Sequence, residues 1–540
     1  MVPLRSNRRT ALRAIALSAW LVACDGGVTP DAGVPDAGAP SDAGAPDAGP
    51  PPTELCDPTL DPGPFPAPDA HGAWAGPGGP SRTFDASELY VGCTFLDGGE
   101  LDVTDHHNLV TMYDGYLLMP WAPEFGEGGL TFWEVDDPCV PRVVGTGHSR
   151  TMRETHAIGF SQEGGRWAVV DQLGAALAFD RGGIQFWDIS DPSAPSAVAD
   201  LELEGFLYPD AYARVSLSVF WQAPYVYVGF AQNGVYIVDA TDPRTPRLVA
   251  QYRPEPVMQV GQVQAIGNLL VVTEAEGARV LLLDISDPVD PQPIAGGDFL
   301  FEAEGRAREI YFTNVIGGHL YAANKDGGGG LIVYDIRDPE HPTFAGANIS
   351  DGNGGYVFVQ HHLAFVGESN FATIYDLTDL SNIVEIQRLD LTGDLDTASP
   401  IGNVVVLSVD DEAEPDQGSA VVPFATEPDA VAPSPVWVWP ADGASSVRTT
   451  SRIGIAFDEA IDVLSAHEGS IRLYRSDMAP DEGRVPTVVS AQDAIANVHP
   501  RCALEPNTEY TLEVVAGGVT DFNRNAVATP LSVSFTTGVE

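Results

Sequence analysis

The sequence has little positive charge and almost no lysine. Lys and Arg together number 27 among 540 residues, against 76 Asp and Glu, so the formal net charge is −49. Lys325 is the only lysine. Proteins that bind nucleic acids neutralise phosphates with basic side chains, so this composition excludes a nucleic-acid partner and disfavours a face pressed against anionic lipid.

Long apolar runs are also missing. No segment approaches the roughly 18 to 20 apolar residues that a membrane-spanning helix requires. The chain does contain 56 Gly, 44 Pro and 44% apolar residues, which predicts a buried core punctuated by turns rather than long helices. The composition therefore predicts an all-β protein, and 540 residues leave room for several domains.

The amino terminus has the form of an export signal. A basic start containing Arg5 and Arg13 precedes an apolar run over residues 14–23 that is too short to span a bilayer. The run ends in Leu-Val-Ala-Cys24, which resembles the bacterial lipobox. The resemblance implies cleavage after residues 1–23, a lipid on the Cys24 thiol, and a mature chain held to a membrane by that lipid alone. The alternative is an ordinary signal peptide that ends beside a cysteine.

Residues 24–82 are predicted to form a disordered stalk. Four Asp-Ala-Gly units occur between Pro30 and Gly49, followed by three more prolines. Such a segment has too few large apolar residues to form a core, proline favours an extended backbone, and the aspartates repel one another. The stalk would hold the folded part away from the lipid surface.

Four cysteines remain besides Cys24. They are Cys56, Cys93, Cys139 and Cys502. Export to an oxidising space favours disulfides, and four cysteines allow three full pairings. Because Cys502 stands alone in a separate region, we expect one bridge among the first three and a buried, reduced Cys502.

A repeat with a period of about 50 residues organises the middle of the chain. Its best copies read Val235-Tyr-Ile-Val-Asp239-Ala-Thr-Asp242-Pro243 and Leu331-Ile-Val-Tyr-Asp335-Ile-Arg-Asp338-Pro339. Seven units are marked by acids at intervals of 41 to 54 residues, with the last two degenerate, at Asp137, Asp191, Asp242, Asp287, Asp338, Asp379 and Glu427. A period of this length is typical of solenoids and propellers, and four short strands can be assigned to each unit.

The repeat resembles the LVIVD repeat of bacterial and archaeal surface proteins, over roughly residues 100–428. This resemblance implies a β-propeller, which we place at residues 83–430 with seven blades. The first acid of each motif is expected to bond to backbone N–H groups in the following turn.

Residues 433–540 lack the period and resemble a bacterial Ig-like domain of the S-layer type. The resemblance rests on segments such as Ile453–Phe457, Tyr510–Leu512 and Ser534–Gly538. In that family an Asp-x-x-Gly-Asn loop precedes the last strands, and here Arg524 stands where the glycine is expected. Such domains imply a spacer or an adhesive module.

The most suitable place for chemistry in a propeller is the mouth of its channel, where loops lead into the innermost strands. The candidates there are Asp105, His106, His107, Glu154, His156, Arg306, Arg308 and Glu309. Histidines with a carboxylate could bind a transition metal or hold a hydrolytic water. The simpler interpretation, which we prefer, is that they satisfy buried backbone groups or face solvent. As sites outside the packed core, His106→Ala and His156→Ala are then expected to change stability by no more than about 1 kcal/mol. His361 and His362 are placed in a turn between strands.

No familiar catalytic signature supports an enzyme. The sequence has no nucleophile elbow, phosphate-binding loop, His-Glu-x-x-His or dinucleotide fingerprint. The acidic segment Asp410–Asp416 could bind Ca²⁺, but it lacks a regular calcium loop, and a solvated loop is preferred.

The sequence therefore predicts a lipid-anchored protein of the bacterial cell envelope, at the outer membrane or cell surface. We expect it to act as a binding or scaffold module for protein or glycan partners, without catalytic residues, metal or cofactor. The alternatives are a metal-dependent or hydrolytic enzyme at the channel mouth and a structural spacer of a surface layer.

Overall fold

The computed structural model describes residues 82–92, 94–96, 109–121, 128–152, 155–172, 182–203, 217–325, 328–409 and 418–539. The chain divides into two compact units, residues 1–44 and 45–540, and every described residue belongs to the second. The predicted signal, stalk and lipid-attachment site, the acidic segment and several candidate residues lie outside the described ranges; these are Cys24, Cys56, Cys93, Asp105, His106, His107, Glu154 and Asp410–Asp416.

The described residues form β-strands and turns, with short 3-10 helices at Leu380–Asn382 and Val463–Ser465 and no α-helix. Among them, no helix has the length and apolar character needed to cross a membrane. The predicted all-β class is confirmed.

Up to Pro423 the described strands make seven four-stranded antiparallel sheets. The first three are β2 (Thr111–Tyr113), β3 (Tyr116–Trp121), β4 (Gly128–Glu134) and β5 (Arg142–Ser149); β6 (Ile158–Ser161), β7 (Trp167–Gln172), β8 (Gly183–Asp188) and β9 (Ser196–Glu202); and β10 (Ser218–Gln222), β11 (Tyr225–Gly229), β12 (Val235–Asp239) and β13 (Arg247–Tyr252). The fourth and fifth are β14 (Val260–Ile266), β15 (Leu269–Glu274), β16 (Arg279–Asp284) and β17 (Gln292–Leu300), and β20 (Ile310–Ile316), β21 (His319–Asn324), β22 (Gly330–Asp335) and β23 (Thr343–Ile349). A small hairpin, β18 (Glu302–Ala303) and β19 (Arg306–Ala307), lies between these two sheets in sequence.

The sixth sheet is β24 (Val357–Gln360), β25 (Leu363–Gly367), β26 (Ala372–Asp376) and β27 (Val384–Leu389). The seventh combines β28 (Thr397–Ile401), β29 (Val404–Ser408) and β30 (Ser419–Pro423) with an outer strand from the start of the domain, β1 (Thr94–Leu96). Thr94 pairs with Val421, so the last sheet is completed by the first strand. This pairing closes the ring with backbone hydrogen bonds, and the repeat pattern gave no sign of it.

The sheets stand side by side around an axis, with the first strand of each innermost. From the second sheet to the seventh, each innermost strand contacts the next. Ser399 Oγ donates to the Val110 carbonyl at 2.9 Å, and the rings of Tyr113 and Phe160 lie 5.0 Å apart, which joins the seventh sheet to the first and the first to the second. Central strands such as β11, β12 and β15 are apolar and buried because a neighbouring sheet covers each face. The architecture is a β-propeller, as predicted.

The acids of the repeat are structural. Asp239 accepts a hydrogen bond from Thr241 N at 3.0 Å, and Asp242 accepts one from Arg244 N at 3.0 Å. The same pattern recurs in the other units at Asp188, Asp191, Asp284, Asp287, Asp335, Asp338, Asp376 and Asp379. Each carboxylate thus caps backbone N–H groups in the turn between the two outer strands of its sheet.

The carboxyl-terminal residues form a β-sandwich. One sheet contains β31 (Pro435–Trp439), β33 (Ile453–Phe457), β36 (Ile495–Pro500) and β35 (Thr487–Gln492), and the other contains β32 (Ala444–Val447), β38 (Leu531–Thr537), β37 (Glu509–Val514) and β34 (Ile471–Arg475). Its core side chains belong to a buried apolar cluster that continues into the first two propeller sheets, through residues such as Leu118 and Phe160. The sandwich is packed on the propeller.

The expected state of Cys502 is wrong. Cys139 and Cys502 are both disulfide-bonded. Cys502 follows β36, a strand that packs against the propeller. Separation along the chain therefore did not keep Cys502 out of a bridge.

Candidate functional site

The sandwich covers one end of the propeller, which we call the capped face. This face is formed by the turns that join the first and second strands of each sheet. At its centre, Gln492 accepts a hydrogen bond from Trp221 N at 3.2 Å and donates one to the Val219 carbonyl at 3.0 Å. The opposite end, where the innermost strands begin, is called the distal face.

Asn497 makes corresponding contacts with the third and fourth sheets. Its side-chain oxygen accepts hydrogen bonds from Gly267 N at 2.7 Å and from Gln222 Nε2 at 2.9 Å. Its Nδ2 donates to the Ala265 carbonyl at 2.9 Å. All three groups are buried, so the side chain replaces the water that would otherwise satisfy these turns.

Other cap residues reach the remaining sheets. The Phe457 carbonyl accepts a hydrogen bond from Gly317 N at 2.8 Å, and Arg501 forms an ion pair with Glu163 at 2.7 Å. Phe522 packs against the cluster that contains Ile401 of the seventh sheet. Since the cap bonds to turns all around the ring, the propeller and the Ig-like sandwich form one body.

Arg524 joins the cap to the first sheet. Its φ is +67°, in the left-handed region that glycine adopts most easily. The guanidinium contacts the buried carboxylate of Asp462 and lies 3.7 Å from Asp114, which also pairs with Arg166 at 2.7 Å. These ion pairs hold the arginine in a conformation that is unfavourable for a residue with a Cβ.

His156, a predicted channel-mouth residue, is packed inside the propeller with 3% of its surface exposed. Its ring stacks on Phe312 at 5.6 Å, Phe312 stacks on Tyr356 at 4.2 Å, and the Tyr356 hydroxyl donates to the His156 carbonyl at 3.2 Å. His156, Phe312 and Tyr356 line a cavity on the propeller axis, and Gln492 of the cap lines the same cavity. His156 therefore lies in the packed core, contrary to the expectation from sequence.

The carboxylate beside His156 also has a structural role. Asp171 lies 3.6 Å from His156 Nδ1 and accepts hydrogen bonds from the backbone N–H groups of His156 and Ala157, at 3.0 and 2.8 Å. Burial raises the pKa of Asp171, although these contacts favour its charged form. The pair fixes the start of β6.

The other described candidates do not converge with His156. Arg308 is buried, donates to the Ala303 carbonyl at 3.3 Å and pairs with Glu304 within the hairpin region. Glu309 and Arg306 are exposed. The described channel-mouth residues are thus spread between the core and the distal surface.

Lys325 marks the distal face. Its Nζ lies 3.7 Å from the centre of the Tyr311 ring and 3.3 Å from Glu276. It directly follows β21, which runs from the capped face to the distal face. The composition identified Lys325 as the only lysine, but the sequence did not predict that it lies on the distal face.

A cluster of a different kind lies where the propeller, the linker and the cap meet. His361 is in the turn between β24 and β25, as predicted, with Nε2 at 3.3 Å from Asp429 Oδ1 and Nδ1 at 3.4 Å from Glu459 Oε1. His361, Asp429 and Glu459 can each offer one ligand atom, and these atoms all lie within 4.8 Å of one another. Asp429 is in the linker and Glu459 follows β33 of the cap.

The cluster is rich in carboxyl groups, and three of them lie close enough to act on Glu459. Burial and the nearby carboxylates of Asp521, Asp429 and Asp458 raise the pKa of Glu459 to about 10. Burial raises the pKa of Asp521 to about 7, although Asn525 donates to its carboxylate. Burial alone would lower the pKa of His361, but its hydrogen bond to Asp429 and the surrounding carboxylates raise it.

Sequence reasoning missed this cluster because its members are almost 100 residues apart and belong to three segments. The acids of the loop around Asp521 were noted only as part of a family motif. The cap residues Gln492 and Asn497 were missed too, since polar residues in strands of a sandwich are ordinarily exposed.

Comparisons with known proteins agree with this architecture. Residues 429–537 match the family model of the bacterial Ig-like domain. Residues 218–253 and 304–348 match the LVIVD repeat, a smaller part of the propeller than the resemblance read from the sequence. A search of curated proteins finds no match.

Solved structures with a similar fold share little sequence. The β-propeller domain of Cps50 (Swd1) from Myceliophteria thermophila is 11% identical with a TM-score of 0.44, covering 59% of this chain and 96% of that one. The periplasmic gluconolactonase PpgL of Pseudomonas aeruginosa is 11% identical with a TM-score of 0.43, covering 57% and 86%. BamB from Moraxella catarrhalis is 13% identical with a TM-score of 0.38, covering 58% and 92%.

The sheets, the ring that they form and the two family matches agree. This chain carries LVIVD repeats within a β-propeller and, at its carboxyl end, a bacterial Ig-like domain.

Proposed function

We propose that the protein is a lipid-anchored module of the bacterial cell envelope that binds a protein or glycan partner on the distal face of its propeller. Propellers and bacterial Ig-like domains are consistent with a binding or scaffold role, and the latter are typical of surface proteins. The observation that carries the proposal is the position of the cap. Because the cap occupies one end of the ring through buried hydrogen bonds, the distal face is the end left to a partner.

The packing on the axis favours binding over catalysis. His156 and Phe312 stack within the propeller, and Asp171 bonds to backbone N–H groups. His156, a described member of the proposed enzyme site, therefore acts in packing. A spacer is the other alternative, and it differs from a binding module in having no specific partner at the distal face.

The single lysine gives a direct test. An amine-reactive photo-crosslinker placed on Lys325 of the mature chain reports on contacts at the distal face, since the chain has no other side-chain amine. After illumination on envelopes of the producing bacterium, we expect one saturable adduct, displaced by excess unlabelled chain. Lys325→Arg keeps the positive charge and removes the amine, so the adduct should disappear.

A matched control moves the amine to the perimeter. Arg142 is exposed on the outer strand β5, and Arg142→Lys in the Lys325→Arg background places the crosslinker there. Adducts from this position but not from Lys325 would put the partner on the perimeter. Absence of adducts from both would support the spacer and overturn the binding proposal.

The anchor is tested separately. A fatty-acid probe fed to the bacterium should label the wild-type chain, and Cys24→Ala should leave it unlabelled and either released or uncleaved. Labelling that survives this substitution would refute lipidation at Cys24.

A further inference from the structure

The cluster at the junction of propeller, linker and cap contains a buried carboxyl group that its protein neighbours do not fully satisfy. Glu459 has 3% of its surface exposed, and its Oε1 has no hydrogen-bond partner. Its nearest positive group is the His361 ring, at 3.4 Å. The other charged groups that act on Glu459 are carboxylates, at Asp429, Asp458 and Asp521.

A buried carboxylate without a donor is unfavourable unless it is protonated or meets a cation. Backbone N–H groups already bond to the neighbouring acids: Asp458 accepts from Ser434 N at 2.7 Å, and Asp521 accepts from Asn525 N at 2.8 Å. No corresponding donor approaches Glu459 Oε1 among the described residues. This oxygen lies on the side facing His361 and is the atom that a bound ion would satisfy.

We infer that His361, Asp429 and Glu459 form a binding site for a divalent transition-metal ion, with Zn²⁺ as the best fit, that fastens the Ig-like cap to the propeller. An imidazole nitrogen with carboxylate oxygens is a ligand set suited to such ions, whereas Ca²⁺ selects oxygen ligands alone. Zinc ligands stand about 2.0 to 2.2 Å from the ion. Donor atoms that already lie within 4.8 Å of one another need only small side-chain adjustments to reach it.

The three ligands come from three different parts of the chain, so a bound ion would hold these parts together. His361 belongs to the sixth propeller sheet, Asp429 to the linker and Glu459 to the cap. An ion bound to all three joins three separate segments and adds its binding free energy to the docked state. This inference departs from the sequence-based expectation that the protein holds no metal.

The test uses the whole mature chain, stripped with EDTA and reloaded with Zn²⁺. We expect elemental analysis after dialysis to find about one Zn²⁺ per chain and the melting temperature to rise on loading. Glu459→Gln keeps the shape of the side chain and needs no counter-charge, so it should fold like the wild type while losing both the ion and the rise. His361→Ala should lose them as well.

His362→Ala is the matched control, because His362 is the exposed neighbour of His361 in the same turn. It should bind Zn²⁺ like the wild type. No zinc at micromolar concentrations, or equal zinc in Glu459→Gln and wild type, would overturn the site. Retention of Ca²⁺ but not Zn²⁺ would overturn the assignment of a transition metal. The Glu459→Gln variant has a neutral amide in place of the carboxylate and therefore needs no ion to balance it. Its folding can be checked in metal-free buffer.

Discussion

Asn497 of the cap accepts a hydrogen bond from the backbone N–H of Gly267, 2.7 Å away and 230 residues earlier in the chain. The same side chain donates to the Ala265 carbonyl at 2.9 Å. It therefore pairs with both kinds of backbone group in the first turn of the fourth sheet. The Asn497 amide takes the place of water at these two backbone groups and thereby fixes the position of the cap on the propeller.

Removing this side chain should weaken docking measurably. Asn497→Ala leaves the Gly267 N–H and the Ala265 carbonyl without this partner in a buried site, while Gln222 Nε2 keeps its bond to the Gly267 carbonyl. Each unsatisfied buried group costs about 1 to 3 kcal/mol, and partial access of water reduces the sum, so we expect a loss of about 2 to 4 kcal/mol in the free energy of unfolding.

Chemical denaturation monitored by tryptophan fluorescence measures this loss. Asn382→Ala, at an exposed position of a short 3-10 helix, is the control and should change stability by less than about 0.5 kcal/mol. Equal stability of the two variants would mean that the cap does not depend on this amide.

The sequence predicted the parts of the fold that depend on local patterns. Apolar runs followed by Asp-Pro turns predicted the sheets, and Asp239, the first acid of its motif, caps a turn as expected. Closure by β1 depends on the pairing of Thr94 with Val421, and such a distant contact has no local signal. Docking of the cap depends on buried polar residues in strands, so the sequence suggested a spacer.

The candidate site was predicted less well for a related reason. His156 was assigned to the channel mouth because it precedes an innermost strand, and it does lie just before β6. The neighbours of His156 could not be predicted from the sequence, because Phe312 and Tyr356 come from other sheets. These two residues bury its ring. His361 was placed correctly in a turn, but its partners Asp429 and Glu459 lie in other segments.

Arg524 offers a test in which two effects oppose each other. Arg524→Gly relieves a left-handed backbone conformation, which favours the variant by about 1 kcal/mol. It also leaves Asp462 and Asp114 without the guanidinium, and breaking a buried ion pair costs about 3 to 5 kcal/mol. We therefore expect a net loss of about 2 to 4 kcal/mol, although the substitution restores the glycine of the family loop.

Ser446→Gly separates the backbone effect from the ion pair. Ser446 is exposed and has a φ of +60°, so its replacement relieves the same conformation without removing a charge. Its stability should stay the same or rise slightly in thermal unfolding. If Arg524→Gly were also neutral, the contacts of Arg524 with Asp462 and Asp114 would contribute nothing to the junction.

His156→Ala should now have a larger effect than the sequence suggested. The substitution removes a buried ring that stacks on Phe312, so we expect a loss of about 2 to 3 kcal/mol in the free energy of unfolding. His362→Ala, in an exposed turn, should stay within about 0.5 kcal/mol of the wild type. Urea unfolding of both variants measures the difference, and a loss below about 1 kcal/mol for His156→Ala would favour the original expectation.

Acid should destabilise the cap through His499. The ring Nδ1 of His499 is buried without a hydrogen-bond partner, and burial together with the charges of Arg452 and Arg501 lowers its pKa to about 3. The unfolded chain binds a proton near pH 6.5, so the folded state holds fewer protons between these values. The stability that comes from a neutral His499 is complete above about pH 6.5 and is lost as the pH falls towards 3.

The effect of this residue can be isolated by difference. Between pH 7 and pH 4.5, one such histidine should lower the free energy of unfolding by about 2 kcal/mol. His499→Leu removes the titrating group, so its stability should fall by that much less over the same range, while His362→Leu, an exposed control, should follow the wild type. Because the other titrating groups are common to all three proteins, they cancel in the comparison. Equal acid sensitivity of His499→Leu and wild type would show that the imidazole is protonated at no cost in the folded cap, contrary to its buried position.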